Sequence, residues 1–206
     1  MIKAQKQALP LWFFSTYFRI MQKFHFSSIE FKVLNSIPEV PVLLLQNHFS
    51  WWDGYWSYFI AEKILKRNFY VMMLEEQLKK RMFLTRTGTF SVNPTGNDML
   101  ASIRYAAGLL KNSENVVTIY PQGKIQSHYI DKLTFEKGAE SLLRLAVLPV
   151  NVVFASAHIN YGSLVRPRAQ VFLKYTGSKK FTIKELETAY NDFFIETREQ
   201  VINEKF

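Results

Sequence analysis

The sequence predicts an α/β domain with a mixed, largely parallel central sheet that is flanked by helices. Short apolar runs of strand length alternate with longer amphipathic segments along most of the chain. The chain has 206 residues and a hydrophobic fraction of 48%, which suits one domain with a buried core. No internal repeat, low-complexity tract or linker is visible. We therefore expect one α/β domain over residues 36–206, preceded by a helical segment over residues 1–35.

The N-terminal segment contains an amphipathic helix over residues 9–24, with Pro10 in its first turn. Apolar and aromatic side chains recur at helical spacing: Phe13, Phe14, Tyr17, Ile20, Met21 and Phe24. Two interpretations stay open. The helix either packs on its own domain or lies in the interface of a lipid bilayer, where aromatic side chains are favoured.

The elements that follow are predicted in order. Residues 40–48 form a short apolar strand, and a helix follows over residues 52–66. Further strands are predicted over residues 69–74, 89–92, 116–120, 147–154 and 169–175. Further helices are predicted over residues 75–84, 98–111 and 135–146, and a last helix begins at Thr182. The turn signal of residues 93–96 ends the strand over 89–92, and Asn97 is placed to cap the next helix.

Composition limits the classes of function. The net charge of +9 favours an anionic partner, such as an anionic membrane surface. The absence of Cys excludes a disulfide framework, a thiolate metal site and a cysteine nucleophile. The four His have no short ligand spacing, so no metal is expected, and no nucleic-acid motif is present. No apolar run reaches about 18 residues. We expect a cytoplasmic protein that associates peripherally with the cell membrane.

The sharpest local feature is the segment from Asn47 to Asp53, where a buried strand gives way to a helix. A His at such a strand end can act as a general base, and a carboxylate on its Nδ1–H would fix its tautomer. His48 and Asp53 are therefore candidate catalytic residues. The alternative stays open, because Ser50 and Asp53 also fit a helix capping box and His48 could be a buried structural residue.

A second feature is the segment Tyr120-Pro121-Gln122-Gly123-Lys124, which follows a predicted strand. Pro and Gly after a strand favour a tight turn whose amides can face a ligand. Taken alone, this segment is typical of an ordinary β-turn.

Together, and in this order, these features resemble the glycerolipid acyltransferase family, which contains the 1-acylglycerol-3-phosphate acyltransferases. Residues 47–53 resemble its first block, with the His-x4-Asp spacing, and residues 88–94 its second, a Gly followed by an apolar strand. Residues 120–126 resemble its Phe-Pro-Glu-Gly-Thr-Arg-Ser block, and residues 135–139 the Phe-Lys-x-Gly-Ala element downstream. Residues 148–150 resemble the Pro-Val block.

The resemblance implies an O-acyltransferase of lipid metabolism, with a role in phospholipid biosynthesis as the family expectation. The aromatic amphipathic helix and the net charge of +9 favour a membrane-docking function for residues 1–35. His48 would take the proton of an acceptor hydroxyl, and Asp53 would orient His48. The donor would be a fatty acyl thioester of coenzyme A or of acyl carrier protein, with no further cofactor and no covalent acyl-enzyme. Amides near Gly123 are candidates for binding the oxyanion. The residues implied to bind substrate are Asn47, Ser50, Gly88, Pro121, Gln122, Gly123 and Lys124.

The departures from the family motifs concern the acceptor. Asn93 or Pro94 stands where the second block has Arg, Gln122 where the third has Glu, and Ile125 where the third has Arg. The family associates those Arg residues with the phosphate of the acceptor, and Ile cannot replace such a contact. We therefore expect a hydroxyl lipid other than lysophosphatidic acid or glycerol 3-phosphate. The alternative is a non-catalytic protein of the same fold that binds lipid or acyl carrier protein.

Overall fold

The computed structural model describes residues 1–93, 97–136, 141–142, 151–177 and 181–204. The helices within these residues are α1 (Ala8–His25), α2 (Asp53–Phe59), α3 (Glu75–Lys79), α4 (Asn97–Leu109) and α5 (Ile183–Asn203). A π-helical turn (Ile60–Ile64) continues α2, and a 3-10 turn (Met82–Thr87) follows α3. The strands are β1 (Ser28–Val33), β2 (Val42–Gln46), β3 (Asn68–Leu74), β4 (Thr89–Val92), β5 (Asn115–Ile119), β6 (Asn151–Asn160) and β7 (Arg168–Tyr175).

The strands form one seven-stranded sheet in the order β1-β7-β6-β2-β5-β3-β4. The β6–β7 pair is antiparallel, and every other neighbouring pair in this sheet is parallel. The mixed, largely parallel sheet predicted from the sequence is therefore confirmed. Because β2 and β5 are parallel neighbours in the middle of the sheet, the loops that follow them meet at the same edge.

The core lies on both faces of the sheet. On one face, α4 and α5 cover alternate strand residues such as Leu43, Val117 and Phe154. On the other face, α2 and its π-helical turn cover a second set that includes Leu44, Val116 and Val153. All five residues of β2 are buried, which explains why that strand reads as a continuous apolar run rather than an alternating one.

Several boundaries differ from those predicted. The strand β1 is not foreseen by the sequence analysis; it lies in the N-terminal segment and pairs with β7. The helix predicted over residues 75–84 is divided into α3 and the 3-10 turn. Most of the helix predicted over 135–146, the start of the strand predicted over 147–154 and the 148–150 block lie outside the described residues. Thr182 caps α5 in a capping box with Glu185, as the sequence indicates.

Helix α1 packs on the domain through one side only. Phe14 stacks on Phe83 with 5.2 Å between ring centroids, and Phe18 stacks on Tyr55 at 4.9 Å. No residue of α1 is buried, and aromatic side chains such as Trp12 and Phe13 project into solvent. Within the described part of the chain, no helix is both long and apolar enough to cross a membrane.

A buried imidazole in the core leads to a prediction about stability. His158 lies in β6 with its Nε2 2.8 Å from Ser156 Oγ and 2.9 Å from Thr197 Oγ1. Burial, and then the charges of His128 and Arg198, lower the pKa of His158 to about 3. The pKa of His in an unfolded chain is about 6.5, so the unfolded state binds a proton below that pH that the folded state does not bind. The free energy of unfolding should therefore decrease as the pH falls from about 6.5 towards 3.

Urea denaturation at pH 7 and pH 5 tests this prediction. The wild type should lose about 2 kcal/mol more than His158→Gln between these two pH values, because Gln has no proton to gain. Equal losses in both proteins would contradict it.

Candidate active site

His48 and Asp53 face each other at the carboxyl edge of the sheet. His48 lies in the loop after β2, and Asp53 is the first residue of α2. Their side chains meet with 3.0 Å between His48 Nδ1 and Asp53 Oδ2. The imidazole is 22% exposed and the carboxylate 1% exposed. The imidazole of His48 is therefore accessible, and the carboxylate of Asp53 behind it is buried.

Asp53 also fastens the loop that carries His48. Its Oδ2 accepts hydrogen bonds of 2.7 Å from the backbone N–H groups of Phe49 and Ser50. Its Oδ1 accepts a bond of 3.2 Å from the hydroxyl of Ser50, which itself accepts from the backbone N–H of Trp52. The two interpretations of the sequence are therefore compatible, because one carboxylate binds both backbone amides and the imidazole.

This arrangement assigns the protonation of the imidazole. An ionised carboxylate only accepts hydrogen bonds, so Nδ1 carries the proton and Nε2 carries the lone pair. No hydrogen-bond partner of His48 Nε2 is found in the described part of the chain. Nε2 is the atom that can take a proton from a hydroxyl, and the carboxylate behind Nδ1 would stabilise the resulting imidazolium.

The residues on either side of His48 anchor the loop in the core. The side chain of Asn47 is buried and pairs with the backbone of Ala157 in β6, donating to its carbonyl at 2.9 Å and accepting from its N–H at 2.7 Å. Phe49 is buried against Phe194 of α5. Asn47, which the family resemblance implied in substrate binding, therefore joins the loop to β6.

The ring of Tyr120 packs against one face of the His48 imidazole. Tyr120 follows β5, and its ring stacks on His48 with 4.1 Å between centroids and 16° between planes. Its hydroxyl lies 3.0 Å from Ser57 Oγ, which donates to Gln46 Oε1 at 2.8 Å. Burial, and then the negative charge of Asp53, raise the pKa of Tyr120 far above its ordinary value. The phenol stays neutral and serves as a rigid support rather than a second base.

The turn after β5 supplies the other half of the site. Gln122 is buried, and its Oε1 accepts a 2.7 Å bond from the backbone N–H of His48. Pro121 is also buried, whereas Gly123 and Lys124 are exposed. Gly123 has a φ of +67°, and its N–H donates to the carbonyl of Tyr120 at 3.0 Å. The predicted turn is confirmed, but the N–H of Gly123 closes that turn and is not open to an oxyanion.

Helix α5 holds the loop of residues 121–136 in place. The side chain of Asn191 binds both the N–H and the carbonyl of Leu133, at 2.8 and 2.9 Å. Glu187 accepts from the N–H of Phe135 at 2.7 Å. The C-terminal helix therefore fixes a loop that reaches the backbone of His48.

Gly88 is not part of this constellation. It precedes β4 and lies at the amino edge of the sheet, whereas His48 lies at the carboxyl edge. Its φ of +108° is unfavourable for any other residue, and an added Cβ would overlap the carbonyl of Phe69. The residue type is explained by backbone geometry, and the implied role of Gly88 in substrate binding is not supported by its position.

The family resemblance assigns no role to two residues of the site, Tyr120 and Gln126, which lie in the motif of residues 120–126. A third, His128, lies beside Phe49 with 5.2 Å between ring centroids. Burial lowers the pKa of His128, although the charge of Asp53 opposes this effect. Nothing in the spacing of Tyr120 and Gln126 indicates that they contact His48, because those contacts depend on the pairing of β2 with β5. Among the described residues, no group of three or more His, Cys, Asp or Glu is placed to hold a metal ion.

A comparison with protein families gives the class to which this α/β domain belongs. The acyltransferase family model matches residues 28–156, more than half of the chain. The chain belongs to this family, the glycerolipid acyltransferases. The match begins at β1 and ends within β6, so β7 and α5 lie outside it. A comparison with curated proteins found no match.

Proposed function

We propose that this acyltransferase moves a fatty acyl group from a thioester of coenzyme A or acyl carrier protein to a hydroxyl of a lipid at the membrane surface. The observation that carries the proposal is the contact between His48 Nδ1 and the buried carboxylate of Asp53. It leaves Nε2 as a proton acceptor where the side chain is accessible. Family membership supports acyl transfer as the reaction.

The reaction proceeds by direct transfer. The acceptor hydroxyl gives its proton to His48 Nε2 as its oxygen bonds to the thioester carbonyl carbon. The tetrahedral intermediate then breaks its carbon–sulfur bond, and the leaving thiolate takes the proton from the imidazolium. The products are an ester and a free thiol. Asp53 balances the charge of the imidazolium while it exists.

For the acceptor we propose a neutral, amino, sugar-bearing or carotenoid-like lipid rather than a glycerol phosphate. Asn93 or Pro94 stands at one of the family's two Arg positions and Ile125 at the other, and both polar atoms of the Gln122 side chain are bonded within the protein. Lys124, Arg86 and Arg104 are exposed cations that lie outside those motif positions. No residue at the aligned positions can form the bidentate contact that Arg makes with a phosphate.

Incubation with a labelled acyl thioester and a total lipid extract tests this proposal, with lysophosphatidic acid in a parallel reaction. The labelled product should be an ester of a hydroxyl lipid, formed at least about tenfold faster than acylated lysophosphatidic acid, since a lost charge-assisted contact costs about 1.5–3 kcal/mol. A rate with lysophosphatidic acid equal to or above that with the neutral lipids would contradict it.

Docking on a membrane is supported by an aromatic surface, which we define as Trp12, Phe13, Tyr17, Trp51 and Phe83. All five side chains are exposed. Two partly buried rings that contact each other, Phe14 and Phe18, connect four of them: Phe14 contacts Phe13 and Phe83, and Phe18 contacts Tyr17 and Trp51. Trp51 belongs to the turn between His48 and Asp53, so this surface reaches the candidate active site.

Exposed cations border the aromatic surface. Arg19 and Lys23 lie on α1, and Lys80 and Arg81 directly precede the 3-10 turn that carries Phe83. Each basic residue near an anionic membrane contributes about 1 kcal/mol to binding. The combination of exposed aromatics and cations suits an anionic lipid interface, and it supports a peripheral location on the cytoplasmic face of the membrane.

The loss of the family's Arg and Glu positions also favours a second candidate, a non-catalytic protein that binds lipid or acyl carrier protein. Vesicle binding without any labelled product, over a panel of acyl thioesters and lipids, would support that candidate against the enzyme.

A further inference from the structure

Gln122 and Gln126 hold the main chain of His48 from both sides. The N–H of His48 donates to Gln122 Oε1 at 2.7 Å. Gln122 Nε2 donates to Gln126 Oε1 at 2.7 Å, and the backbone N–H of Gln126 donates to the carbonyl of His48 at 2.9 Å. Both polar groups of the His48 backbone are thus bound to the turn after β5. We call this set of three hydrogen bonds the glutamine clamp.

In the clamp as it is formed, the side chain at position 122 both accepts and donates a hydrogen bond. The carboxamide of Gln does both, whereas a carboxylate only accepts. Gln122 is 3% exposed, so water does not readily replace either bond. The family motif has Glu at this position and Ser at position 126, and both are Gln in this chain. The two residues that differ from the family motif are therefore joined to each other by the hydrogen bond from Gln122 Nε2 to Gln126 Oε1.

The clamp is coupled to the imidazole through the short loop that carries it. The side chain of His48 is held between the ring of Tyr120 and the carboxylate of Asp53, while its backbone is held by Gln122 and Gln126. Tyr120 and Gln122 belong to the same turn. A shift of that turn would move the backbone of His48 and its stacking partner together, and it would change the contact with Asp53.

We propose that Gln122 is a positioning residue, which fixes His48 against Asp53 through the glutamine clamp without adding a second negative charge to the site. This inference rests on the proposed function of His48 as the base. The titratable groups that contact the imidazole are Asp53 from α2 and Tyr120 from the turn after β5. Burial, and then the negative charge of Asp53, raise the pKa of Tyr120, so its phenol adds no negative charge beside the imidazole.

Replacing Gln122 with Met or with Glu, whose side chains are similar to it in length, distinguishes the effect of positioning His48 from the effect of added charge. Gln122→Met removes both side-chain bonds, and it should lower kcat by about 10- to 100-fold, because small displacements of a catalytic base are costly. The KM for the acyl thioester should stay within about threefold, because the side chain of Gln122 is buried and bonded within the protein. Gln122→Glu keeps the acceptor for the His48 N–H, and the amide of Gln126 can turn to donate to it. This variant should recover most of kcat near pH 8, and its acidic limb should lie at higher pH than that of the wild type, because added negative charge favours the imidazolium.

Hydrogen exchange of the His48 backbone amide provides a readout independent of turnover. Exchange should be slow in the wild type and in Gln122→Glu and at least about tenfold faster in Gln122→Met, which lacks the acceptor. If Gln122→Met fails to fold, Gln126→Met, which keeps both backbone bonds of the clamp, should show a smaller loss of kcat with slow exchange retained.

The outcomes separate this inference from the proposed function. Wild-type protein without acyl transfer would overturn the proposed function, whereas the exchange of the His48 amide would still report on the clamp. Gln122→Met with kcat within about threefold of the wild type, or unchanged exchange of that amide, would overturn the clamp. Gln122→Glu with the kcat of Gln122→Met, or with an unshifted acidic limb, would overturn the role assigned to the neutral amide.

Discussion

Replacing His48 with Ala is expected to lower kcat for acyl transfer by about 10²- to 10⁴-fold. The substitution removes the atom that takes the proton of the acceptor hydroxyl. It leaves the loop in place, because Asp53 still binds the N–H groups of Phe49 and Ser50 and the backbone bonds at position 48 remain. Thermal stability and vesicle binding should therefore stay close to those of the wild type. Initial rates at saturating thioester and lipid provide the measurement, and a His48→Ala enzyme with wild-type kcat would remove His48 from the mechanism.

The substitution Asp53→Asn tests the role of the carboxylate that binds His48. The amide can still accept hydrogen bonds through its oxygen, but its NH2 group no longer enforces the tautomer with a proton on Nδ1. We expect a loss of kcat comparable to that of His48→Ala, about 10²- to 10⁴-fold. The double substitution should be little worse than either single one, because the two residues act as a unit. Losses that multiply in the double variant would show that they act separately.

Membrane binding gives the second large expected effect. Trp12→Ser combined with Phe13→Ser should weaken binding to anionic vesicles by at least about 10- to 100-fold, since a fully buried large apolar side chain contributes about 1.5–3 kcal/mol. The two side chains are 64% and 57% exposed and make few contacts within the protein, so the fold should not change. Sedimentation with vesicles that contain anionic lipid measures the effect, and turnover on lipid presented in vesicles should fall with binding.

A matched control comes from the other face of the sheet. Leu100 on α4 and Ile202 on α5 are 45% and 65% exposed, and their helices cover the face opposite to α2 and α1. Leu100→Ser combined with Ile202→Ser removes a similar number of exposed apolar side chains, and binding should remain. An equal loss of vesicle binding in both double variants would indicate nonspecific hydrophobic binding. Wild-type vesicle binding by the Trp12–Phe13 variant would contradict docking through the aromatic surface.

The alternation of strands and helices is visible in the sequence because buried parallel strands are apolar throughout and helices carry a 3.6-residue period. That pattern is sufficient to predict the strands β2 to β5 and the helices α1, α2, α4 and α5. It is insufficient for β1, whose side chains are only partly buried and whose partner β7 lies far along the chain. The pairing of an edge strand is a long-range property, and its local sequence carries little signal.

The candidate site shows the same division. The spacing of His48 and Asp53 indicates that a turn could join them, and the observed contact follows from the start of α2 at Asp53. The support from Tyr120 and Gln122 follows from the adjacency of β2 and β5, which one sequence does not reveal. The role of Gly88 is ambiguous in the sequence, because a Gly required by a positive φ looks the same as one that admits a substrate.

The most direct measurement is the transfer of a labelled fatty acyl group from a thioester to hydroxyl lipids in anionic vesicles, with wild-type protein and His48→Ala bound to the same extent. We predict a labelled ester that accumulates with wild-type protein, and at most about one hundredth of that rate with His48→Ala. An ester formed at equal rates by both proteins would contradict the account, as would the absence of any labelled ester with the wild type.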